Sequence, residues 1–403
     1  MKNSLRLLLL NYEFPPLGGG AGNATYYMAL ELQSLGHQVD VLTAREHGGK
    51  CYEVIDGVRI WRVPSYRVGI HEAGIQGAAS YLFFARIKLA RLMRANHYDL
   101  LHYYFGLPTG LLALYSHQKY SVPYIVSLRG SDVPGYDMNA APSFHRLLGS
   151  VRRRIWHNAA AVVANSGSLR DLALDAGADR PIDVIPNGVS VQRFSPRPST
   201  RGDGGPLRVL CVSRLIQRKG LETLIHAVAE LREIDVELEI IGTGQLEREI
   251  KALVRSLKLD RRVHFSGFVG QSHLAERYRS ADLFVLPSLS ESCAMALLEA
   301  MSSGLPVIVS KVGGNTEIVR HEENGLLFEP GSITDLTAAL RRLAESAELR
   351  ATISENNIKK IRTQHSWSRI ARQYEGMYRR ILDADADDNR VRPRYRKLQP
   401  VMY

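Results

Sequence analysis

Cysteine is scarce in this sequence, which contains only Cys51, Cys211 and Cys293. These residues stand far apart and lack the short spacings of cysteine motifs that bind metals. Three scattered cysteines also exclude the dense disulfide framework of small secreted proteins and are typical of a reducing cytosol. We therefore expect a cytoplasmic protein whose stability comes from an apolar core.

The sequence also lacks a long apolar run. No stretch approaches the roughly 20 apolar residues that a membrane-spanning helix needs. The first ten residues resemble the start of a signal peptide, but Asn11 and Glu13 interrupt the apolar run and no small-residue cleavage site follows. We predict that this segment forms the first buried strand.

Acidic residues are fewer than basic ones, 41 against 52, which leaves a formal net charge of +11. Such an excess raises nucleic acid and anionic membranes as possible partners. The excess is spread along the chain, and the sequence has no recognition-helix pattern and no zinc-finger spacing. We expect no nucleic-acid partner.

Short strand-like apolar runs alternate with helix-like stretches along most of the chain, as in parallel α/β proteins. A chain of 403 residues is too long for one ordinary core. Residues 195–206 are rich in proline, glycine and serine and have the composition of an exposed linker. The pattern predicts two Rossmann-like domains, with a ligand-binding cleft at the carboxyl ends of their strands.

The most informative stretch runs from Pro287 to Pro306. A short apolar strand leads into a loop that contains Glu291, and Glu299 follows on a helix-forming run. Backbone N–H groups at the start of such a helix attract anions. A carboxylate beside them repels phosphate and is better suited to bind hydroxyl groups, which a sugar or a ribose supplies. Two glutamates at this spacing also occur on ordinary helices.

The whole string resembles the signature of the retaining glycosyltransferases of family 4, E-x(7)-E followed by Ala-Met-Ala-x-Gly-x-Pro. In that family the first glutamate contacts the donor sugar and the second contacts the nucleotide ribose, which implies these roles for Glu291 and Glu299. The backbone at Cys293, Ala294 and Met295 would also bind the donor. The family usually has Gly-Phe-Gly where this chain has Ser-Cys-Ala, residues 292–294, and this departure bears on the identity of the donor sugar.

A second motif, Arg214-Leu-Ile-Gln-Arg-Lys219-Gly220, follows a strand-like run. Two fixed cations suit a diphosphate, although a solvated turn is the ordinary alternative. The string resembles the R-x(4)-K-G motif of the same family, which implies that Arg214 and Lys219 hold the donor diphosphate and stabilise the leaving group. Since fixed cations and helix N–H groups can stabilise that charge, we expect no metal and no other cofactor.

In the first half of the chain, Gly18 and Gly19 lie in a glycine run between the first strand and a helix. The run is either a tight structural turn or a loop that lets a ligand approach the backbone. It resembles the family's P-P-x-x-G-G loop, which implies that both glycines line the cleft near the phosphates and the acceptor.

Arg129 and Asp132 follow the fifth strand, where family members often have an H-G-S-D motif near the donor sugar. Arginine cannot shuttle a proton. Arg129 would instead bind an anionic acceptor, brace Asp132 or form an ordinary salt bridge. By the same resemblance, the backbone near Val269 meets the nucleotide base.

Two basic and aromatic helix candidates, residues 80–94 and 145–157, either lie on an anionic membrane surface or pack an apolar face on the core. Many relatives glycosylate lipid-linked acceptors, so peripheral contact with the inner face of the cell membrane is a hypothesis.

The resemblance spans most of residues 5–382 and implies a GT-B fold, in which two Rossmann-like domains face each other across a cleft. We predict an acceptor-binding domain (1–190), a linker (191–206), a nucleotide-sugar-binding domain (207–365), a helix that crosses back to the N-terminal domain (366–382) and a disordered charged tail (383–403).

The implied function is that of a retaining glycosyltransferase in polysaccharide biosynthesis. It would use a UDP- or GDP-sugar and glycosylate a glycan, a lipid-linked acceptor or a small molecule. Two alternatives stay open: a sugar-nucleotide binder without activity, and a nucleotide-sugar epimerase of the GT-B type.

Overall fold

The structure is a computed structural model that describes residues 4–137, 146–196 and 205–391. The chain divides into two compact units. The first contains Met1–Ser127, Ser150–Val162 and Ala371–Tyr403, and the second contains Leu128–Gly149 and Val163–Ile370. Most of the predicted linker, residues 197–204, lies outside the described residues, and the predicted domain division stays a prediction, as does the cleft.

The first unit contains a mainly parallel sheet. Its strands are β1 (Arg6–Leu10), β2 (Gln38–Arg45), β3 (Tyr52–Ile55), β4 (Val58–Pro64), β5 (Leu100–Tyr104) and β6 (Tyr124–Ser127). They lie in the order β3-β4-β2-β1-β5-β6, and β3 is antiparallel to β4 while the other pairs are parallel. Strands β1, β5 and β6 are buried along almost their whole length, because both faces of a parallel sheet are covered. The predicted first strand is therefore confirmed.

The helices that accompany these strands are α1 (Gly20–Ser34), α2 (Gly74–Ala95), α3 (Leu111–Tyr120) and α4 (Gly149–Asn158). Helix α1 begins directly after the glycine run. The chain then forms β7 (Ala161–Ala164), α5 (Gly167–Asp175) and β8 (Ile182–Val184), and β7 and β8 lie side by side.

The second unit contains a fully parallel sheet. Its strands are β9 (Leu207–Val212), β10 (Val236–Ile241), β11 (Val263–Gly267), β12 (Leu283–Leu286), β13 (Val307–Ser310) and β14 (Leu326–Phe328). Their order is β11-β10-β9-β12-β13-β14. This is the order of a dinucleotide-binding Rossmann fold, and its direction reverses between β9 and β12.

The helices of this unit cover both faces of the sheet. They are α6 (Leu221–Glu230), α7 (Glu247–Ser256), α8 (Gln271–Ser280), α9 (Met295–Ser302), α10 (Gly313–Ile318), α11 (Ile333–Glu345) and α12 (Ala347–Gln364). Along β9, Val209 and Cys211 belong to one core cluster and Leu210 belongs to the other. The predicted α/β class, with two Rossmann-like parallel sheets, is confirmed.

The last helix, α13 (Trp367–Val391), begins in the second unit and continues in the first. In the first unit, Tyr378 Oη lies 2.8 Å from His102 Nδ1, and Tyr374 Oη lies 3.1 Å from Ser127 Oγ. The predicted return of the C-terminal helix to the N-terminal domain is confirmed.

The prediction of disorder from Asp383 is wrong for residues 383–391, which continue α13. Extending an existing helix costs far less than starting one, and Ala384 and Ala386 favour helix. Residues 392–403 of the predicted tail lie outside the described residues.

None of the helices in the described ranges is both long enough and apolar enough to span a membrane.

Candidate functional site

The carboxyl ends of β9 and β12 carry the two motifs that the sequence singles out. These strands pair through Leu283 with Val209 and Phe284 with Leu210. Arg214 and Lys219 lie after β9, and Glu291 lies after β12. The strand order reverses here, and ligands of open α/β sheets bind at such a switch point. The candidate residues of both motifs therefore lie at the switch point of this sheet.

Glycines hold the loop after β9 against neighbouring backbone. Gly220, which follows Lys219, has φ of +60°, and a Cβ atom there would overlap the carbonyl oxygen of Pro287. On the other side, a Cβ atom at Gly242 would overlap the carbonyl oxygen of Ser213. Because only glycine allows both approaches, the loop is clamped between the ends of β10 and β12.

Lys219 and Glu291 form a buried ion pair at the centre of this site. Lys219 Nζ donates to Glu291 Oε1, and the side chains are 13% and 5% exposed. Ser288 Oγ donates a second hydrogen bond of 2.7 Å to the same carboxylate oxygen. The resemblance implied that Lys219 contacts the diphosphate and Glu291 the sugar, and neither motif predicted that the two side chains pair with each other.

The electrostatics keep Glu291 ionised. Burial raises the pKa of its carboxyl group, but the charges of Lys219 and Arg218 and the hydrogen bonds from Lys219 and Ser288 outweigh burial, so that the pKa lies below its usual value. An ionised carboxylate accepts hydrogen bonds only, which suits the recognition of hydroxyl groups.

Two further glycines bring α10 onto the loop that carries Glu291. A Cβ atom at Gly313 would overlap the carbonyl oxygen of Glu291, and one at Gly314 would overlap that of Ser292. The N–H group of Gly314 donates to the carbonyl oxygen of Glu291 at 3.0 Å. The backbone before α9 is therefore fixed by close contact with α10.

Arg214 differs from Lys219 in its surroundings. Its side chain is exposed and has no hydrogen bond or ion pair within the described part of the chain. A guanidinium that is not engaged by the protein can bind a phosphate through two parallel hydrogen bonds.

Arg218 is a residue of the site that the motif did not single out. Its Nη1 donates to Tyr136 Oη at 3.0 Å and to the carbonyl oxygen of Ser290 at 3.2 Å, and its guanidinium lies over the Tyr136 ring. Ser290 Oγ donates to the carbonyl oxygen of Tyr136 at 2.8 Å. These contacts tie the segment after Leu128 to the loop of Glu291. In the sequence, only the position of Arg218 next to Lys219 indicated that Arg218 belongs to this site.

The three residues predicted to bind the donor through their backbone lie at the start of α9. Ala294 precedes the first helical residue, Met295, and no side chain caps this helix end. Cys293 is buried, and burial raises the pKa of its thiol to about 12. Its carbonyl oxygen accepts a 2.8 Å hydrogen bond from Asn187 Nδ2. The thiol is therefore a packing group, and no side chain caps the backbone N–H groups at the start of α9.

Glu299 lies on α9 with its carboxyl group buried. Tyr278 Oη donates to its Oε2 at 3.0 Å. Burial raises the pKa of Glu299 to about 8, although Tyr278 and Arg193 act in the opposite direction. The two glutamates of the motif therefore have opposite protonation at neutral pH, with Glu291 ionised and Glu299 largely neutral.

Arg129 and Asp132 form a local turn. Asp132 is buried, and its Oδ1 accepts from the N–H groups of Arg129 and Gly130 at 2.9 and 3.0 Å. The guanidinium of Arg129 donates to Asn187 Oδ1 at 2.8 Å. The backbone N–H of Arg129 thus braces Asp132, and its guanidinium holds the asparagine that binds Cys293.

Val269, near which the resemblance places the nucleotide base, and Glu317 have contacts with a structural role. Val269 is half-buried and packs against the core beside α9. Glu317 on α10 accepts from the N–H groups of Gly167 and Ser168 at 2.8 and 2.9 Å and caps α5.

The glycine run belongs to the first unit. Gly18 has φ of +90°, its N–H group donates to the carbonyl oxygen of Ile70 at 2.8 Å, and a Cβ atom there would collide with Glu13. A Cβ atom at Gly19 would meet nothing within 4 Å, and its N–H group lies 3.4 Å from Glu13 Oε2. Gly18 is therefore required by the turn, whereas Gly19 leaves open space.

In the described ranges, no group of three or more histidine, cysteine, aspartate or glutamate side chains has the arrangement of a metal site. The predicted independence of metal stays a prediction.

We predict that Glu299→Gln raises stability relative to the native chain as the pH rises from 5 to 8. Between the ordinary glutamate pKa and the folded pKa of about 8, the Glu299 carboxyl keeps its proton in the folded chain but loses it in the unfolded chain. The native chain therefore loses stability as the pH rises through this range, by up to about 1.4 kcal/mol per pH unit. Urea unfolding at pH 5, 6.5 and 8 measures this difference. Glu276→Gln on exposed α8 surface is the matched control. A difference that is constant with pH would contradict a buried neutral Glu299.

Comparisons with known proteins agree with this geometry. Residues 193–360 match the family model "Glycosyl transferases group 1", and residues 18–193 match the model "Glycosyltransferase Family 4". The GDP-mannose-dependent alpha-(1-6)-phosphatidylinositol monomannoside mannosyltransferase of Mycobacterium tuberculosis is 25% identical, and the match covers 91% of this chain and 96% of that protein.

Two solved structures share the fold. Sucrose-phosphate synthase from Thermosynechococcus elongatus superposes with a TM-score of 0.83 at 24% identity, covering 94% of this chain and 100% of the other. Anabaena HepE in complex with UDP-glucose superposes with a TM-score of 0.74 at 21% identity, covering 93% and 99%. The fold and family predicted from the sequence are confirmed: the chain belongs to glycosyltransferase family 4 and has the GT-B fold.

Proposed function

We propose that this glycosyltransferase moves a hexose from a UDP- or GDP-sugar to a hydroxyl group of an acceptor. The acceptor is a glycan, a lipid-linked molecule or a small molecule. The reaction retains the anomeric configuration of the hexose and needs no metal. The observation that carries the proposal is the grouping at the switch point of the second sheet. An exposed arginine, a buried lysine–glutamate pair and an uncapped helix start lie together there.

Each of these features suits one part of a nucleoside-diphosphate sugar. Arg214 and the N–H groups at the start of α9 would bind the diphosphate, and Lys219 would add a charge beside it. Glu291, ionised and oriented by Lys219 and Ser288, would accept hydrogen bonds from sugar hydroxyls. Glu299, largely neutral, can donate as well as accept, which suits a ribose hydroxyl.

The chemistry follows from where charge develops. Breaking the bond between the anomeric carbon and the phosphate oxygen leaves negative charge on the diphosphate and positive charge on the sugar. Cations that are already in place stabilise the first without reorganisation. We propose that the acceptor attacks on the face that the phosphate leaves and that a phosphate oxygen takes the acceptor's proton.

The relatives support this class of donor. The Mycobacterium tuberculosis relative is named for GDP-mannose and a phosphatidylinositol mannoside, and HepE was solved with UDP-glucose. A role in the synthesis of polysaccharides or glycolipids is part of the proposal.

We predict that one nucleotide family stabilises the protein in a thermal-unfolding panel of UDP-glucose, UDP-N-acetylglucosamine, GDP-mannose and ADP-glucose in EDTA. A donor at about 100 times its Kd adds roughly 2.7 kcal/mol to the free energy of unfolding, which shifts the midpoint visibly. A shift that requires added Mg²⁺ would contradict the metal-free proposal. The absence of a shift with any donor would contradict the donor class itself.

We predict that Arg214→Gln weakens binding of the nucleoside diphosphate at least about tenfold, as loss of a charge-assisted hydrogen bond implies. Binding of the free nucleoside should stay unchanged, because it lacks the phosphates. Calorimetric titration of both ligands separates the two effects, and Arg248→Gln on exposed α7 surface is the matched control. Equal weakening of both ligands would show that Arg214 acts on the fold and not on the diphosphate.

We predict that Lys219→Met destabilises the protein by about 3–5 kcal/mol, because Glu291 then stays buried without its main cation. Adding Glu291→Gln removes that charge, so the double variant should regain much of the lost stability. Neither variant should transfer sugar at more than about one hundredth of the native rate. Urea unfolding and turnover with the donor found above measure both properties.

Near-native turnover by the stable double variant would contradict a catalytic role of the pair. Donor that binds but is never consumed would favour a non-catalytic binder, and a new sugar nucleotide formed without acceptor would favour an epimerase.

A further inference from the structure

Helix α2 has two apolar faces, and one of them is exposed. The buried face packs on the sheet and consists of Gly77, Tyr81, Ala85, Leu89 and Leu92. The other side carries Ile75, Ala79, Phe83 and Ile87, each four positions after the last and therefore on one stripe. Ile75 is 84% exposed and Phe83 is 62% exposed. A surface helix normally presents polar side chains on this side, so the stripe needs another explanation.

The segment before α2 adds to this stripe. Tyr66, Val68 and Ile70 are also exposed. The N–H group of Tyr66 donates to Ser80 Oγ at 2.9 Å, which fixes the segment against the first turns of α2. We call the combined surface, Tyr66, Val68, Ile70, Ile75, Phe83 and Ile87, the α2 apolar surface.

The charges beside this surface have one sign. Helix α2 carries Arg86, Lys88, Arg91 and Arg94 and no acidic residue, and Glu72 is the one acidic residue between positions 65 and 97. Arg86 lies 4.8 Å from the centre of the Tyr115 ring on α3. The exposed Lys119 lies 5.6 Å from the same ring. Cations and tyrosines thus continue from α2 onto α3.

We propose that the α2 apolar surface docks on a lipid bilayer that contains anionic lipids. Apolar side chains that point outward, flanked by cations and tyrosines, match the acyl boundary, the anionic headgroups and the interface between them. A partner protein of ordinary composition would leave these cations without opposite charges. In the second predicted stretch, Ile155 and Trp156 of α4 are fully buried, so these two apolar side chains pack on the core.

The docking surface adjoins the glycine run. Ile70 is part of the surface, and its carbonyl oxygen accepts the 2.8 Å hydrogen bond from Gly18. His71 Nδ1 lies 2.6 Å from the carbonyl oxygen of Gly18. A bilayer held by this surface would therefore bring its headgroups close to Gly18 and Gly19. The docking itself does not depend on the proposed function, and its test uses no sugar transfer.

The test is flotation of the full-length protein with vesicles of phosphatidylcholine alone and with vesicles that contain 30% phosphatidylglycerol. Binding is expected only to the second, and it should weaken between 50 and 500 mM salt, because salt screens exposed charges.

Phe83→Asp with Ile87→Asp should lower the vesicle partition coefficient at least about tenfold, since each change removes an inserted apolar side chain. Arg91→Gln with Arg94→Gln should lower it about fivefold per neutralised charge. The matched controls are Leu174→Asp on exposed α5 surface and Arg248→Gln, and both should bind as the native chain does. Unchanged urea unfolding shows that the variants are folded.

Three outcomes would overturn the proposal. The first is that the native chain does not float with anionic vesicles. The second is that the variant with Phe83→Asp and Ile87→Asp floats as well as the native chain. The third is that sedimentation shows the native chain to be a dimer and this variant to be a monomer. The last result would assign the surface to a second copy of this chain.

Discussion

The buried pair of Lys219 and Glu291 is the interaction on which the rest of the site depends. Taking two charges out of water costs several kcal/mol each, and only close pairing with further hydrogen bonds offsets that cost. Here Ser288 supplies one such bond, and Arg218 supplies a second positive charge nearby. The pairing requires the loops after β9 and β12 to lie in contact. That contact is possible because a glycine, Gly220, faces the carbonyl oxygen of Pro287.

Burial acts on both glutamates of the motif, but they differ in protonation because the cations beside Glu291 outweigh burial there. Glu291 has cations and a hydroxyl group around it, and they lower its pKa. Glu299 stands eight positions later on a helix in the apolar core, where burial raises its pKa. One motif therefore supplies a carboxylate that only accepts hydrogen bonds and a carboxyl group that can also donate one. A charged Glu299 would be costly at its buried position, which is why its pKa is raised.

Much of this arrangement could be predicted from the sequence. Alternation of strands and helices gave the two parallel sheets, and the glutamate and Arg-Lys motifs lie at the switch point because both follow neighbouring strands. Pairing between Lys219 and Glu291 could not be predicted, since it joins positions 72 residues apart through the exact register of two loops. The contact of Arg218 with Tyr136 has the same origin, and the turn that buries Asp132 depends on backbone geometry that no spacing reveals.

Helix α2 shows a different limit of sequence patterns. Apolar residues at helical spacing predict that one face is buried, but α2 carries two such faces, and periodicity cannot tell which one meets the sheet. The face with Gly77, Tyr81 and Ala85 packs against β2 and β4, and Phe83 points outward. Leaving Phe83 and Ile75 in water forgoes about 1.5–3 kcal/mol of burial for each side chain. A bilayer would recover that free energy, and it would do so beside the loop that is hydrogen-bonded to Gly18.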